Sequence, residues 1–237
     1  MRVAALYDIH GNLSALEAVI SELDHDPPDA IVVGGDVLWG PLQAECIALL
    51  EARDARFLAG NCERDVRVGD SVADRWCREQ LSPELLDEVS RWPDTIELDV
   101  PSLGHILFCH ATPRSNEEIL TRLTPADAIA EAIGDVEADV VVGGHTHVQV
   151  DRRIPGAPRL VNPGSVGLAY EGRPGAYWAM LGRDVELRAT PYPVEPALDL
   201  LRSRAFPGFD DVFSNAIRGE VTADSASENL EARRRGA

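Results

Sequence analysis

Short apolar runs in this chain repeatedly end in a side chain that can hold a metal ion. Asp8-Ile9-His10 follows the run Val3 to Tyr7, and Gly34-Gly35-Asp36 follows Ile31-Val32-Val33. Gly60-Asn61-Cys62-Glu63 follows Arg56-Phe57-Leu58, and His110 closes Ile106-Leu107-Phe108-Cys109. Gly143-Gly144-His145-Thr146-His147 closes Val140-Val141-Val142. Read as strands, these five runs deliver Asp, Asn or His at their carboxyl ends, where ligands gather in open α/β sheets. Taken singly, a strand-end Asp or His is more often a cap or a core residue. Seven oxygen and nitrogen donors (Asp8, His10, Asp36, Asn61, His110, His145 and His147) converging together describe a metal centre, and a two-metal one. His25 and His105 stand outside these motifs and read as ordinary surface or turn residues.

The elements that position the donors follow from periodicity. A buried strand at 2–7 leads to a helix capped by Asn12 or Ser14 and running to about Leu23, with Leu13, Leu16, Val19, Ile20 and Leu23 on one face. Asp26-Pro-Pro-Asp29 turns into the strand 30–33, Pro41 starts a second helix to about Ala52, and a strand near 55–59 follows. This β-α-β-α-β rhythm predicts a parallel, right-handed first half. Helices are expected at about 62–68, 71–80 and 83–91, the last opened by Ser82-Pro83-Glu84. Trp76 and Trp92 in that stretch fit a core role. In the second half, 95–100 and 105–109 read as a hairpin, Thr124-Pro125 opens a helix, and 139–142 is a strand. Short strands near 148–154, 159–161, 176–181 and 184–190 read as an antiparallel meander, followed by helices at 195–204 and 209–218. Residues 220–237 are polar and aperiodic, and are expected to form a mobile tail beyond a single domain spanning 1–219. Two sheets packed together with helices outside is the predicted architecture.

Composition narrows the chemistry. The 237 residues suit one α/β domain, and 45% are hydrophobic, enough for a sizeable core. A formal net charge of −18 argues against nonspecific nucleic-acid binding and against an anionic membrane surface. All 22 basic residues are arginine, so Schiff-base chemistry and a P-loop lysine are excluded. Any basic side chain on a phosphate must therefore be an arginine fork. Cys46, Cys62, Cys77 and Cys109 show no CxxC spacing, which removes zinc ribbons and thioredoxin motifs. The N-terminus enters a strand at once, and no apolar run approaches membrane-spanning length, so a cytoplasmic protein is expected. Oligomeric state stays open.

The ordered set Asp8-x-His10, Gly35-Asp36, Gly60-Asn61, His110 and Gly144-His145-x-His147 resembles the signature of the calcineurin-like metallophosphoesterases. Asn162-Pro163-Gly164-Ser165 resembles a motif of the small bacterial and archaeal phosphodiesterases in that superfamily. Those proteins also carry Cys after the Gly-Asn pair, as Cys62 stands here. The resemblance implies a four-layer α/β/β/α sandwich. It implies that Asp8, His10 and His147 hold a first metal, that Asn61, His110 and His145 hold a second, and that Asp36 bridges both.

The physical logic stands beside the resemblance. Two divalent ions roughly 3.5–4 Å apart make a bound water nucleophilic at neutral pH and neutralise phosphoryl oxygens during in-line displacement. Nitrogen and oxygen donors without thiolate fit Mn, Fe, Co, Ni or Zn. Asp36, Asn61, Cys62 and His110 are the residues expected at the reacting centre, with Arg64 and Arg173 as substrate contacts. Where the wider superfamily has a histidine, Cys62 is smaller and a weaker proton donor, which favours diesters on small organic phosphates or nucleotides. A buried apolar filler is the plain alternative for Cys62. Phosphomonoesters and dinucleoside polyphosphates are alternative substrates, and a catalytically silent scaffold is the alternative of another class. Intact donors, His10 above all, count against the scaffold.

Overall fold

The computed structural model describes residues 1–236. One sheet contains β1 (Val3–Leu6), β2 (Ala30–Val33), β3 (Arg56–Phe57), β9 (Ala176–Leu181) and β10 (Val185–Thr190), in the order β10-β9-β1-β2-β3. The other contains β4 (Thr95–Val100), β5 (Gly104–Cys109), β6 (Val140–Val142), β7 (Val150–Arg152) and β8 (Arg159–Asn162), in the order β4-β5-β6-β8-β7. β1, β2 and β3 run parallel, as do β5, β6 and β8, while the remaining pairings are antiparallel.

Side-chain alternation builds the layers. Val3, Ala5 and Tyr7 of the first sheet meet Ile106, Phe108, Val140 and Val142 of the second in one core between the sheets. Ala4 and Leu6 point the other way, onto α1 (Leu13–His25) and α2 (Gln43–Glu51). Leu107, Cys109 and Val141 face α6 (Ala126–Ile133), which buries Ile129, Ala132 and Ile133. The result is the expected four-layer α/β/β/α sandwich. Asn12 caps α1 by accepting the Ala15 N–H at 3.2 Å, and Ala15, Leu16, Val19, Ile20 and Leu23 form its buried stripe.

The helical stretch after Asn61 comprises α3 (Asn61–Val68), α4 (Val72–Glu79) and α5 (Pro83–Val89). Its tryptophans are core residues: Trp92 stacks on Phe57 and Trp76 meets Phe206 edge-on. Three expectations need correction. The second helix begins at Gln43 rather than Pro41, because residues 41–42 remain in a turn. The strands after 148 form no single meander: β7 and β8 complete the second sheet, while β9 and β10 cross to the first.

The polar C-terminus is not a mobile tail. After α7 (Val194–Arg202), a π-helical turn (Asp210–Ser214) runs into the short α8 (Asn215–Ile217), and α9 (Ala223–Gly236) is a packed helix. It buries Ala223, Ala226, Ser227 and Glu231, small or polar residues that leave no hydrophobic period to read. Among the described residues no helix is long and apolar enough to cross a membrane.

Candidate metal centre

Most of the donors stand on turns that side-chain-bearing residues seldom adopt. Asp8 (φ +52°), His10 (+48°), Asp36 (+55°), His145 (+67°) and His147 (+57°) are all left-handed. Only Asp54 and Ala205 share that conformation among the other non-glycine residues described. Each such residue costs on the order of 1–3 kcal/mol, so strain is concentrated where the strands end. The sharp turns re-aim donors from β1, β2 and β6 toward one point.

Backbone bonds lock the loops together. His10 N–H donates to Asp36 O at 2.9 Å, Asp8 N–H to Gly35 O at 3.2 Å, and Gly144 N–H to His110 O at 2.5 Å. The Asn-Pro-Gly-Ser segment is a brace between two donor loops. Ser165 Oγ donates to Asp8 O at 2.6 Å, and Asn162 Nδ2 donates to Gly144 O at 2.9 Å and to Thr146 Oγ1 at 3.0 Å. A Cβ on Gly60 would overlap Asp36 Oδ1, and one on Gly144 would overlap Asp8 Oδ2, so these two positions require glycine by close approach.

The seven side chains meet in two linked groups. Asp8, His10 and His147 form one, and Asp36, His110 and His145 the other, with donor atoms in each within 4.8 Å of one another. Asn61 Oδ1 lies 3.0 Å from His110 Nε2 and joins the second. Asp36 links them through one oxygen: Oδ2 is 4.0 Å from His10 Nε2 and 3.5 Å from His110 Nε2. Its other oxygen, Oδ1, accepts the Cys62 N–H at 2.8 Å. Five of the seven (Asp8, His10, Asp36, His110 and His147) are buried.

Second partners orient the imidazoles. Nδ1 of His10 bonds Trp39 O at 3.0 Å, that of His110 bonds Gly34 O at 2.8 Å, and that of His147 bonds Leu168 O at 2.8 Å. A carbonyl can only accept, so each Nδ1 carries a proton and each Nε2 is the atom turned to the centre, free to give its lone pair to a bound cation in place of a second proton. His10 Nε2 and His147 Nε2 face each other at 3.2 Å, a spacing that one shared proton or one shared cation satisfies. Asp8 Oδ1 points the same way, 3.3 Å from His147 Nε2, and is buried without a hydrogen-bond partner. An orphaned carboxylate oxygen and two ring nitrogens turned on each other are what the donors of a metal site show when considered alone. The residues present fit a pair of divalent ions.

The charges agree. Burial works against ionisation of Asp36, but the facing histidines His110, His10 and His145 hold its carboxyl far below the usual range. Burial together with His110 pushes His145 down to about 4, which leaves it a neutral donor.

The structure also shows what the sequence reading passed over. Glu63 is buried, and its carboxylate accepts four backbone N–H groups: Asp36 and Gly60 on Oε2, Val37 and Leu38 on Oε1. It fixes the loop carrying Asp36 to the start of α3. The spacing Gly60-x-x-Glu63, an N-cap followed by an acid at N3, was its available signal. Cys62 is buried with its sulfur near the donor atoms of His10 and Asp36. Arg64 is exposed and already paired with Asp65 and Glu117, both at 2.7 Å. Arg173 is exposed on the loop before β9, outside the donor groups. His25 and His105 bond to Ser21 O and to Asp99 away from the cluster.

Comparison with known proteins gives this geometry its family. A curated relative of Methanocaldococcus jannaschii, an uncharacterized protein, is 24% identical over 86% of this chain and 93% of its own. A crystal structure of a metallophosphoesterase from Sphaerobacter thermophilus superposes with a TM-score of 0.75 at 23% identity, covering 92% of this chain and all of that one. A hypothetical protein from Pyrococcus horikoshii superposes with a TM-score of 0.77 at 19% identity, over 92% of this chain and 98% of its own. These two likenesses carry the fold. The model of the calcineurin-like phosphoesterase superfamily domain matches residues 1–182, a span that takes in every donor loop. On that match the chain belongs to the calcineurin-like phosphoesterase superfamily and is a metal-dependent phosphoesterase.

Proposed function

We propose that this protein is a binuclear phosphodiesterase acting on small organic phosphates or nucleotides. In this reading Asp8, His10 and His147 hold one ion, Asn61, His110 and His145 hold the other, and Asp36 touches both. The observation that carries it is Asp36 Oδ2, within 4.0 Å of an Nε2 from each donor group. The donors suit Mn, Fe, Co, Ni or Zn, with Mn the first choice for a panel. Bound ions would supply Lewis acidity to the phosphoryl oxygens and a water acidic enough to attack at neutral pH.

The chain's own residues do the remainder. Glu63 holds the Asp36 backbone N–H, and the Cys62 N–H occupies one oxygen of the Asp36 carboxylate, which leaves the other to face the centre. Backbone carbonyls hold three imidazoles in the tautomer that donates from Nε2. Burial and the Asp36 charge push the Cys62 thiol well above its ordinary value, so it stays an uncharged S–H at neutral pH. An S–H donates weakly and occupies little space, which leaves room for a second ester arm and gives little help to a poor leaving group. These properties support diesters, or esters with good leaving groups, over simple monoesters. Arg64 would reach a phosphate only by exchanging Asp65 or Glu117 for it, and Arg173 only from its exposed loop. Four buried, unpaired cysteines suit a reducing compartment such as the cytoplasm.

A panel of chromogenic mono- and diesters, assayed with each of the five metals, tests the proposal. Faster turnover of diesters is the expected result. Preference for monoesters with every metal would overturn the diester assignment.

A further inference from the structure

Three segments wall a cavity of about 230 Å³ next to Asn61 and His110. One wall is α3, where Arg64 stands three residues after Asn61, about 4.5 Å along the helix axis. Another is the loop after β5, where Thr112 stands two residues past His110 and leads to Arg114, Ser115 and Asn116. The third is Asp94, which precedes β4. All three are tied to the segment that carries Asn61. Ala59 N–H donates to Pro93 O at 2.9 Å, Ala59 O accepts from Asn116 Nδ2 at 3.3 Å, and Arg64 pairs with Glu117 at 2.7 Å. Thr112 and Ser115 exchange backbone bonds of 2.9 and 3.2 Å that shape the loop. The cavity is therefore built onto the strand ends that deliver the second donor group.

Its cations are already engaged. Arg64 holds Asp65 and Glu117, and Arg114 holds Glu118 through Nε at 3.0 Å and Nη2 at 2.6 Å. Thr112 Oγ1 donates to Glu118 Oε2 at 2.8 Å. What stays open is chiefly acceptors. Among the described residues the Asp94 carboxylate has no hydrogen bond and no ion pair, and Asn116 bonds through Nδ2 alone, which leaves its Oδ1 free. Ser115 Oγ accepts the Glu117 N–H at 3.1 Å, and its own proton has no acceptor. A second phosphate would meet an unpaired carboxylate and two neutralised arginines, so the lining disfavours an anionic arm. Neighbouring hydroxyl groups, in contrast, are donors that a carboxylate and an amide oxygen can both accept, as acidic side chains do with ribose hydroxyls. Size points the same way. The cavity is smaller than the roughly 300–1,000 Å³ that houses a drug-sized ligand, so it admits a glycerol or a single sugar ring and not a whole nucleoside.

We propose that this cavity is the subsite for one ester arm of the substrate and that it selects a vicinal diol, with Asp94 and Asn116 Oδ1 accepting from the two hydroxyls. The inference rests on the phosphodiesterase reading and narrows it to diesters that carry a glyceryl or ribosyl group. Asp94 and Asn116 act on the choice of substrate, away from the reacting atoms.

The test compares the metal-loaded wild type with Asp94→Ala, Asp94→Asn and Asn116→Ala, each checked for an unchanged melting temperature. Asp94 bonds to nothing in the described fold, so Asp94→Ala removes no contact that holds the chain together. Two matched pairs of 4-nitrophenyl diesters are used: the glyceryl against the propyl ester, and the uridine 5′-phosphate ester against its 2′,3′-dideoxy counterpart. Loss of the diester is followed, so cleavage at either ester bond counts. A hydrogen bond to a charged group is worth about tenfold or more, so the wild type should favour the diol member of at least one pair by about that factor in kcat/KM. Asp94→Ala should bring the ratio close to one, mainly through KM, because the contact is made alike before and during reaction. Asp94→Asn, which keeps an acceptor, should retain part of the preference, and Asn116→Ala should lose a smaller share. Preference confined to the first pair assigns a glyceryl arm, and preference confined to the second a ribosyl one. Calorimetry with glyceryl phosphate and propyl phosphate gives a readout that needs no turnover: the first should bind about tenfold more tightly, and Asp94→Ala should erase the difference. Equal rates within both pairs, or a preference that survives Asp94→Ala, would overturn the subsite even if diesters are hydrolysed. Asp94-dependent discrimination in binding by a protein that hydrolyses no diester would instead sink the phosphodiesterase reading and leave the subsite standing.

Discussion

Glu63 and Asp36 are joined through the backbone rather than through their charges. The Glu63 carboxylate accepts the Asp36 N–H at 2.8 Å and the Gly60 N–H at 2.7 Å on the same oxygen, while its other oxygen holds Val37 and Leu38. Two like-charged side chains are thereby kept near one another, and the turn that aims Asp36 is set by the residue after Cys62. In Glu63→Gln the amide nitrogen would meet two N–H donors with no acceptor to offer. Each unsatisfied donor costs about 1–3 kcal/mol, so the variant should melt several degrees lower and hold less metal. Thermal unfolding and metal analysis of Glu63→Gln check this, and a variant with wild-type stability and metal content would contradict it.

Asp36 should be the least replaceable donor. It is the one side chain facing both groups, whereas Asp8 serves only the first. Asp36→Asn is expected to abolish turnover and deplete both ions, and Asp8→Asn to deplete mainly one. Metal stoichiometry of the two purified variants distinguishes them. Near wild-type activity with full occupancy in Asp36→Asn would refute the shared-ligand assignment.

The gathering of donors was legible because buried strands with abrupt polar ends announce themselves. Val140–Val142 leads to His145 and His147, and Ile106–Cys109 to His110, with little room for another reading. Pairing was less legible. That β8 lies parallel to β6, and that β9 returns to β1, depends on contacts between distant segments whose local patterns resemble those of a meander. The helix α9 was unreadable for a different reason. Its buried positions are Ala, Ser and Glu, and its docking rests on hydrogen bonds from Thr121 and Thr124, more than a hundred residues earlier. A carboxylate buried this way looks identical in sequence to a solvated one.

Docking of α9 should be acid-sensitive. Arg234, with help from Thr124 and Thr121, pulls the Glu231 carboxyl from an ordinary 4.5 down to about 2. A depressed acid stabilises the fold above its unfolded value, so this contribution is complete above about pH 5 and is lost as pH falls toward 2. Hydrogen bonds to a charged group are worth about 1.5–3 kcal/mol, and Glu231→Gln should lose much of that at neutral pH. Hydrogen exchange of the α9 amides in both proteins across this range provides the check. Equal protection of α9 in wild type and Glu231→Gln at pH 7 would show that the carboxylate does not hold the helix.

Cys62 is the position proposed to separate substrate classes. Introducing a larger, stronger acid with Cys62→His should raise monoesterase relative to diesterase activity, since general-acid assistance is typically worth about 10²–10⁴-fold. Cys62→Ala should cost stability while leaving kcat nearly intact if the sulfur is only a filler. The ratio of kcat/KM for a matched mono- and diester pair is the quantity to follow. An unchanged ratio in folded, metal-loaded Cys62→His would remove this position from the account of specificity.

The most direct test of a binuclear hydrolase is a paired measurement of bound metal and turnover through chelation and reloading. The protein should carry two divalent ions per chain, lose hydrolysis of a chromogenic diester when they are stripped, and regain it on reloading with Mn or another of the five metals. Its melting temperature should fall on stripping, because ions that bind only the folded state stabilise it by mass action. Undiminished hydrolysis by a protein verified to be metal-free would contradict the account at its centre.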